Sequence, residues 1–536
     1  MDMSQIQVKN LTFYYDGSGE DIFANVSFTI DTDWKLGFIG RNGRGKTTFL
    51  KLLMGQYEYR GTIASPEAFE YFPYPVKDME KNTIDVVEEV KPDYEFWKLC
   101  REMNLLSVKE EVLFRPFRTL SKGEQTKVLL ALLFSSENRF LLIDEPTNHL
   151  DSEGRKQVSQ YLSRKKGFIL VSHDRRFLDG CIDHVLALNR KNIEVVQGNF
   201  SSWWENREKR EAFELQKNEK LKKEIGRLKE SAARASSWAD HSENLKIGTG
   251  SYVNGKFIGS RSYLGEKSRK MQQRRKSMEQ RREKAIQEKE GLLEDREEAE
   301  ILKLMPLSHF REELVSFEHV KLGYDPQSTK EAIFRELNFS VRQGERVILT
   351  GKNGSGKSTV LKAILQACGY DVRRGEAGGE KPAADDGEPM KGAKQRQQPA
   401  QPCLLAGTVR TAPGLVISYV PQDASGLWGL LSDFQEQRGL DRTLFLAVLR
   451  KLGFSRELFS KPMETYSEGQ KKKVLLAAGL CTSAHLYVWD EPLNFIDVFT
   501  RMQLEQLLSE SKAAMVLVEH DEAFAEKIAA KKVELS

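Results

Sequence analysis

An internal duplication constrains this chain more than any other feature of its sequence. Each copy starts near a strand-like segment that ends in Tyr-Asp, at residues 8–16 and 317–325. An apolar strand, a Gly-rich loop and a helix follow in both copies, at 36–53 and 346–364. Three more pairs recur in the same order, LSKGEQ with YSEGQ, FLLIDEP with LYVWDEP, and ILVSHD with VLVEHD. This self-similarity predicts two domains of one fold.

The chain therefore divides into two similar domains and a join of different character. A length of 536 residues is too great for a single hydrophobic core. We place the first domain at 1–200, the join at 201–305 and the second domain at 306–536. Strands that are almost wholly apolar are typical of an α/β fold in which helices cover both faces of a parallel sheet.

Composition narrows the class of protein. The longest apolar runs, such as residues 128–134, fall far short of the roughly 18 residues that span a bilayer. The first residues, MDMSQIQVKN, lack the basic and apolar regions of a secretory signal. The five cysteines have no CxxC spacing, which is typical of reduced thiols. We therefore expect a cytoplasmic protein.

The Gly-rich loops at 40–47 and 351–358 match the pattern GxxxxGK[ST]. In such a loop the backbone N–H groups surround phosphate, the lysine supplies charge, and the hydroxyl binds Mg²⁺. Lys46 and Lys357 are predicted to hold the β- and γ-phosphates of a nucleotide, and Thr47 and Ser358 the metal. The predicted phosphate-binding residues are Gly40, Asn42, Gly43, Gly45, Lys46, Thr47 and Thr48 in the first copy, and Gly351, Asn353, Gly354, Gly356, Lys357, Ser358 and Thr359 in the second.

Acidic pairs follow a buried strand in each copy. At the carboxyl end of such strands α/β proteins bind their ligands, so Asp144 and Asp490 are predicted to reach Mg²⁺. Their neighbours Glu145 and Glu491 are predicted to polarise the attacking water. His173 and His520 each end an apolar strand before an aspartate, and we expect them to contact the γ-phosphate.

LSKGEQ and YSEGQ resemble the LSGGQ signature of ATP-binding cassettes. The resemblance implies that the two cassettes pair head to tail over two ATP molecules, each with Mg²⁺, so that every site is composite. It further implies that the signatures approach the γ-phosphate of the opposite cassette and that two tyrosines stack on adenine. The residues concerned are Ser121, Gly123, Ser467, Gly469, Tyr15 and Tyr324. Asp151 and Asp497 match the loop that crosses the seam.

The copies depart from the cassette pattern in different ways. Gln422 lies where the family has a glutamine that contacts metal and water, whereas the first copy offers Tyr74 there. Lys122 and Glu468 replace the first glycine of the signature. These differences leave the relative activities of the two sites open.

Two fused cassettes, DEPTNHLD and a long charged join resemble the ABC-F family of ribosome-associated ATPases, from which EPLNFID in the second copy departs. VWDEPLNFID, SEGQKKK and the join are similar to members that protect the ribosome against lincosamides, streptogramin A and pleuromutilins. The resemblance implies an ATPase acting as a monomer with intramolecular cassette pairing. Its implied partners are large-subunit rRNA near the peptidyl-transferase centre and tRNA. The alternatives are a housekeeping ABC-F translation factor or, less favoured, the ATPase subunit of an exporter.

The join carries most of the positive charge. Residues 201–290 contain 23 Lys+Arg and 14 Asp+Glu, a net charge of +9, whereas the whole chain has +4. Apolar residues recur at spacings of four and three in the outbound limb and every seven in the returning limb, which predicts an antiparallel helical hairpin. Its basic residues suit the backbone of RNA. We place the tip at about 243–265, and a disordered insertion of the second domain at about 369–406.

Overall fold

The computed structural model describes residues 5–15, 21–136, 138–148, 150–189, 192–213, 304–324, 336–371, 376–377, 402–528 and 530–535, with residue 333 and scattered positions between 216 and 230. It divides into two compact units, one of residues 1–201 with 300–536 and one of residues 202–299. In the second unit residues 202–213 are helical. The predicted returning limb and the tip at 243–265 lie outside the described residues, and the domain bounds remain predictions.

The first cassette is built from nine strands and six α-helices among its described residues. Its strands are β1 (Gln5–Phe13), β2 (Phe23–Asp31), β3 (Lys35–Ile39), β4 (Arg60–Ala64), β5 (Ala68–Phe72), β6 (Arg139–Asp144), β7 (Phe168–Val171), β8 (His184–Leu188) and β9 (Ile193–Gln197). Its helices are α1 (Lys46–Leu53), α2 (Thr83–Val90), α3 (Phe96–Leu105), α4 (Lys122–Phe134), α5 (Ser152–Ser163) and α6 (Arg175–Cys181). Two 3-10 helices span Glu110–Phe114 and Phe117–Thr119.

The second cassette repeats this plan. Its strands are β10 (Glu313–Gly323), β11 (Leu337–Arg342), β12 (Arg346–Thr350), β13 (Tyr370–Asp371), β14 (Glu376–Ala377), β15 (Cys403–Thr411), β16 (Ile417–Val420), β17 (Leu486–Asp490), β18 (Met515–Val518) and β19 (Lys531–Glu534). Its helices are α7 (Lys357–Ala367), α8 (Leu431–Gln437), α9 (Arg442–Lys451), α10 (Glu468–Cys481), α11 (Val498–Glu510) and α12 (Glu522–Lys527). Two 3-10 helices span Arg456–Ser460 and Met463–Thr465.

Both cassettes combine a parallel sheet with a small antiparallel one. The parallel order is β5-β6-β7-β3-β8 in the first cassette, with β9 antiparallel at the edge, and β16-β17-β18-β12-β19 in the second. The antiparallel sheets have the orders β2-β1-β4 and β11-β10-β15. Matching strands occupy matching places, so the α/β fold class and the duplication predicted from sequence are confirmed.

Apolar packing explains why the site-bearing strands are central. All four residues of β7 and all five of β17 are buried, because strands inside a parallel sheet have both faces covered. Phe49 of α1 packs against Phe23, Phe28 and Phe38, which joins the two sheets of the first cassette to the helix after its Gly-rich loop. The loops that follow these central strands therefore begin at one edge of a sheet that buried packing holds in place.

The insertion in the second cassette is shorter than predicted. Within the predicted range of 369–406, β13 pairs with β14, and residues 403–406 begin β15. Strand β15 continues the antiparallel sheet, with Cys403 opposite Gly323 and Thr411 opposite Val315. The prediction of disorder was wrong at this end, because residues 403–406 pair with β10 and this pairing satisfies their backbone groups. Residues 378–401 lie outside the described residues.

In the part of the chain that the structure describes, no helix combines the length and the apolar character needed to cross a membrane.

Candidate functional site

The two Gly-rich loops connect β3 to α1 and β12 to α7, and together with the first turn of each helix they contain all the predicted phosphate-binding residues. Each ends in a glycine with left-handed backbone, Gly45 with φ of 96° and Gly356 with φ of 91°. A Cβ on Gly45 would lie 2.5 Å from Ile22, so a side chain is excluded on two counts. The loop conformation therefore depends on glycine at these positions.

Both loop lysines are buried and turn back over their own loop. Lys46 Nζ donates to the Gly40 carbonyl at 2.6 Å and to Asn42 Oδ1 at 3.2 Å. Lys357 Nζ donates to the carbonyls of Gly351 at 2.8 Å and Lys352 at 2.9 Å. Burial lowers the pKa of both ammonium groups. A buried cation inside a ring of backbone groups is an electrostatic fit for a polyphosphate.

A hydroxyl and a carboxylate meet beside each loop. Thr47 Oγ1 donates to Asp144 Oδ2 at 2.9 Å, and Ser358 donates a hydrogen bond to Asp490. Oxygen ligands of this kind suit Mg²⁺. Asp490 Oδ1 is buried without a hydrogen-bond partner among the described residues. The residues present therefore fit Mg²⁺.

The two glutamates that follow these aspartates have unusual backbone conformations. Glu145 has φ of 51° and Glu491 has φ of 45°, a region that non-glycine residues adopt at a cost of about 1–3 kcal/mol. Their N–H groups donate to the carbonyls of Val171 (2.9 Å) and Val518 (3.0 Å) on the adjacent strand. Strain of this kind is typical of functional sites.

The histidines face these glutamates. His173 Nε2 lies 3.1 Å from Glu145 Oε1, whereas His520 Nε2 lies 3.8 Å from Glu491 Oε1. Glu145 Oε1 and His520 Nε2 are both buried, and neither makes a hydrogen bond to any described residue. Each cassette thus places a histidine beside a glutamate, and the two side chains lie closer together in the first cassette than in the second.

Burial sets the protonation of this group. It lowers the pKa of His173 well below its usual range and that of His520 to about 4, so both rings are neutral near pH 7. Burial, with the neighbouring Asp144, raises the pKa of Glu145 to about 8. Burial also raises the pKa of Asp490 to about 6, against the hydrogen bond from Ser358. A carboxyl whose pKa lies near neutral pH can accept a proton in its ionised form and release it again.

The predicted adenine-stacking tyrosines lie at the rim of each loop. Tyr15 and Tyr324 are 40% and 45% exposed. Their hydroxyls pair with Thr48 Oγ1 at 2.8 Å and Thr359 Oγ1 at 2.9 Å. Each ring is thereby fixed beside its own phosphate loop, while part of its surface stays open to solvent.

The signature segments form capped helix N-termini. Ser121 and Ser467 are the N-caps of α4 and α10, and each makes a reciprocal capping box with the residue three positions later. Their hydroxyls are partly committed to this cap, since Glu124 N donates to Ser121 Oγ at 3.2 Å and Gln470 N to Ser467 Oγ at 3.3 Å. The free backbone N–H groups of the first turn favour an anion.

The second signature faces the first phosphate loop. Asn42 Nδ2 donates to the Phe495 carbonyl at 2.8 Å, and Asn42 N donates to Asp497 Oδ2 at 3.3 Å. A Cβ on Gly469 would meet the Phe495 carbonyl at 2.6 Å and Asn42 Nδ2 at 3.2 Å. Loop 40–47 of one cassette therefore touches the signature and the following loop of the other, as a composite site requires.

A cavity lies at the reciprocal interface. A cavity of about 330 Å³ separates Asp151, Ser152 and Glu153 of the first cassette from the phosphate loop and His520 of the second. Lys352 Nζ lies 3.7 Å from Glu153 Oε2 there, and both side chains are exposed. The second phosphate loop and the start of α5 thus line one cavity.

A sequence model of the ABC transporter family matches residues 23–148 and 334–494. The chain belongs to the ABC transporter family. The match includes both phosphate loops and both acidic pairs, so ATP and Mg²⁺ are the ligands that this family binds in general.

Curated relatives extend over nearly the whole chain. Ribosome protection protein VmlR of Bacillus subtilis is 26% identical over 538 residues, 97% of this chain and 85% of that protein. Energy-dependent translational throttle protein EttA of Mycobacterium tuberculosis is 29% identical over 422 residues, 77% of this chain and 62% of that protein. These relatives support the ABC-F assignment within the ABC transporter family.

A solved structure has the same fold. The archaeal ribosome recycling factor aABCE1, in complex with the stalk protein aP1, aligns with 98% of this chain and 87% of its own at a TM-score of 0.56. Sequence identity is 17%, so the likeness concerns the fold of the ABC protein alone.

Sequence reasoning missed Tyr71 in the first ABC cassette. Tyr71 Oη donates to Asp144 Oδ2 at 3.1 Å, whereas Tyr74, which aligns with Gln422, hydrogen-bonds to Glu70. Gln422 itself is exposed at the end of β16. Tyr71 lies near the end of β5, and β5 pairs with β6. Alignment of the two copies of the duplicated sequence does not show that these two strands are neighbours.

Tyr71→Phe should therefore weaken the first site without unfolding it. Loss of one hydrogen bond to a charged acceptor is expected to cost about 1.5–3 kcal/mol at the site. In Glu491→Gln protein, where we expect only the first site to turn over, the Mg²⁺ concentration needed for half-maximal ATPase activity should rise about 10- to 100-fold. Tyr419→Phe in the same background is the matched control and should change nothing.

Sequence reasoning also missed charged residues at or near the interface between the two cassettes. Lys473 Nζ binds Asp497 Oδ2 at 3.1 Å with both side chains buried. Arg175, two residues after His173, pairs with the buried Glu505 of the other ABC cassette, and Arg176 pairs with Glu526 at 2.5 Å. The KKK run and the difference between the two copies at each position were the available signals.

Proposed function

We propose that the chain is an ABC-F ATPase that binds the ribosome when its cassettes have closed on ATP. It then directs its basic join toward the peptidyl-transferase centre and leaves after hydrolysis. One observation supports the ATPase most strongly. At the end of a buried strand, a strained glutamate with raised pKa lies 3.1 Å from a neutral histidine and one residue from a hydroxyl–aspartate pair. The opposite cassette contributes Phe495 to that site, and its carbonyl accepts a hydrogen bond from Asn42 of the first phosphate loop.

Each group of the first site has a defined task in this proposal. Lys46 and the loop N–H groups bind the phosphates, and Glu145 accepts a proton from the attacking water. His173 orients Glu145 and the terminal phosphate. Mg²⁺ held by Thr47 and Asp144 would neutralise the charge that develops on the phosphate oxygens. The second site assigns the same tasks to Lys357, Glu491, His520, Ser358 and Asp490, with Gln422 as a further ligand.

Closure of the cassettes would couple this chemistry to a partner. Because residues of both cassettes line each site, ATP binds the closed arrangement better than the open one. A partner that also prefers the closed arrangement is then bound in the ATP state and released after hydrolysis. The relatives are named for ribosome protection (VmlR) and for translational throttling (EttA). Ribosome action would place the chain in the cytoplasm.

Neutralising basic residues of the join should weaken ribosome binding and leave ATP binding unchanged. Each contact of a Lys or Arg to a phosphate contributes to affinity through counterion release, so four losses should reduce binding by orders of magnitude and flatten its salt dependence. The measurement is cosedimentation with ribosomes in ATP across a salt series. The substitutions to alanine are at Arg274, Arg275, Arg281 and Arg282.

A variant with the same loss of charge on the cassettes is the control for this experiment. Its alanines replace basic residues that are exposed and distant from the ATP sites, namely Lys9, Lys77, Lys109 and Arg164. We expect this control to sediment with ribosomes like the unmodified chain. Equal loss in both variants would contradict a specific role for the join.

Drug susceptibility separates the resistance factor from a housekeeping translation factor. Expression in a susceptible bacterium should raise the inhibitory concentration of a lincosamide, a streptogramin A or a pleuromutilin several-fold, and Glu145→Gln with Glu491→Gln should abolish the effect. A drug that acts on the small subunit is the control. Unchanged susceptibility to all three classes, with ribosome binding intact, would favour the housekeeping factor, as the likeness to EttA also allows.

A further inference from the structure

The second ATP site contains a buried carboxylate that the first lacks. Aligned on the catalytic histidines, Ser172 of the first cassette corresponds to Glu519 of the second. Aligned on the catalytic glutamates, Thr147 corresponds to Leu493. Glu519 is 5% exposed and immediately precedes His520. A buried carboxylate is costly unless several donors satisfy it, so its presence calls for a role.

In the first cassette two hydroxyls join the loop after Glu145 to the strand before His173. Thr147 Oγ1 and Ser172 Oγ lie 3.1 Å apart, and Asp174 N donates to Ser172 Oγ at 3.2 Å. Both hydroxyls are buried. The link is short and neutral.

In the second cassette one carboxylate makes the corresponding link. Leu493 N donates to Glu519 Oε1 at 2.8 Å, and His520 N donates to Glu519 Oε2 at 3.0 Å. Leu493 has no side-chain hydroxyl, so the carboxylate reaches its backbone instead. Glu519 thus joins the loop that carries Glu491 to the backbone of His520 itself.

Arginine completes the link from the other side. Arg501 Nη2 donates to the Leu493 carbonyl at 2.8 Å and Arg501 Nε to the Ile496 carbonyl at 2.9 Å. The Leu493 N–H therefore donates to a carboxylate, and the Leu493 carbonyl accepts from a guanidinium. Burial raises the pKa of Glu519 to about 7, while Arg501 and, from the opposite cassette, Arg155 favour its charged form.

We propose that Glu519 is a positioning residue of the second ATP site, which fixes Glu491 and His520 relative to each other through the backbone N–H groups of Leu493 and His520. The proposal rests on the ATPase function proposed above. The geometry explains why the two copies differ at both positions together, since Thr147 and Ser172 supply one link and Glu519 with a backbone N–H the other. Glu519 also borders the cavity that faces Asp151 and Ser152.

Glu519→Gln tests this role with the smallest change of shape. An amide offers an oxygen to only one of the two N–H groups and sets its own N–H against the other. Small misplacements of catalytic groups can cost about 100-fold in rate. In Glu145→Gln protein, where only the second site can turn over, we expect kcat to fall about 10- to 100-fold with KM for ATP changed less than about threefold.

Hydrogen exchange provides a readout that does not depend on turnover. We expect amides of the segments 491–496 and 519–521 to lose protection in Glu519→Gln, while the rest of the second cassette keeps it. The double variant Leu493→Thr with Glu519→Ser recreates the hydroxyl link of the first cassette and should restore both protection and kcat. Glu312→Gln in Glu145→Gln protein, an exchange of the same kind at an exposed position, is the matched control and should lower kcat less than about threefold.

Each result decides the proposal. Unchanged protection in Glu519→Gln overturns it, and so does lost protection with unchanged kcat, since the link would then be merely structural. Failure of the double variant to regain protection also overturns it. If neither Glu145→Gln nor the unmodified chain hydrolyses ATP, the proposed function fails, and with it the catalytic part of this role, whereas hydrogen exchange still decides whether Glu519 holds the two segments.

Discussion

Glu145→Gln combined with Glu491→Gln should reduce ATP hydrolysis by about 10²- to 10⁴-fold while ATP still binds. A glutamine has the shape of glutamate and cannot accept the proton of the attacking water. The contact of Glu145 to His173 at 3.1 Å and its place next to Asp144, which pairs with Thr47, put this proton transfer at the centre of the site. The variant should accumulate in the closed, ATP-bound state and sediment with ribosomes at low salt.

Single variants separate the two sites. Glu145→Gln and Glu491→Gln alone should each leave one site able to turn over, so the ATPase rate of each reports the other site. The control is Glu58→Gln with Glu312→Gln, a change of the same kind at two exposed positions, which should hydrolyse ATP normally. Normal hydrolysis by the Glu145/Glu491 double variant would exclude these glutamates as bases, and its recovery free of ribosomes would refute the coupling.

Asp497→Ala should lower the free energy of unfolding of the second cassette by about 3–5 kcal/mol, because it leaves the Lys473 ammonium buried without its partner. The two groups lie 3.1 Å apart with side-chain exposures of 1% for Asp497 and 4% for Lys473. Asp497 also caps α11, where Thr500 N donates to it at 3.0 Å, and it accepts Asn42 N from the opposite cassette. Urea denaturation measures the loss.

Asp151→Ala is the matched control for Asp497→Ala. Asp151 caps α5 through Gly154 N at 2.8 Å, but the corresponding Lys127 binds Gln157 instead. Loss of a cap alone costs about 1 kcal/mol. Equal effects of the two substitutions would show that the buried ion pair contributes nothing beyond the cap.

The same ion pair predicts the dependence of stability on pH. Burial alone would favour neutral Asp497, but the Lys473 and Lys46 ammonium groups hold the pKa of Asp497 well below its usual range. A carboxyl whose pKa is lower in the folded state contributes stability above its unfolded pKa of about 4, and this contribution disappears as the pH falls toward the folded pKa. Asp497→Ala should therefore flatten the acid limb of the stability profile.

Much of the fold could be predicted from the sequence because the evidence was local. The loops 40–47 and 351–358, the strands before Asp144 and Asp490, and the helices after Ser121 and Ser467 each carry their own pattern of glycine, apolar residues or caps. The duplication then gave an independent check of each element. The parallel order of the sheet follows from such units with little further information.

The parts of the site that escaped prediction depend on pairing between distant segments. Tyr71 reaches Asp144 because β5 lies beside β6, and Lys473 reaches Asp497 because α10 packs over the loop before α11. In the sequence Glu519 is one of many differences between the two copies. Its link to the loop after Glu491 depends on Leu493 N, which lies 2.8 Å from Glu519 Oε1. Residues 403–406 joined a strand because β10 offered an open edge, which composition alone does not record.

The pairing of Arg175 with Glu505 lies at the edge of the first ATP site, where Asn42 also crosses the seam. Glu505 is fully buried, and the corresponding residue of the first cassette is Ser159. Separation of the cassettes at this edge must hydrate a buried acid and a guanidinium together, whereas the other edge borders a cavity of about 330 Å³. On the proposed ATPase function, we therefore expect ADP to leave the second site before the first. Release of ADP from the first site would then set the duration of the ATPase cycle.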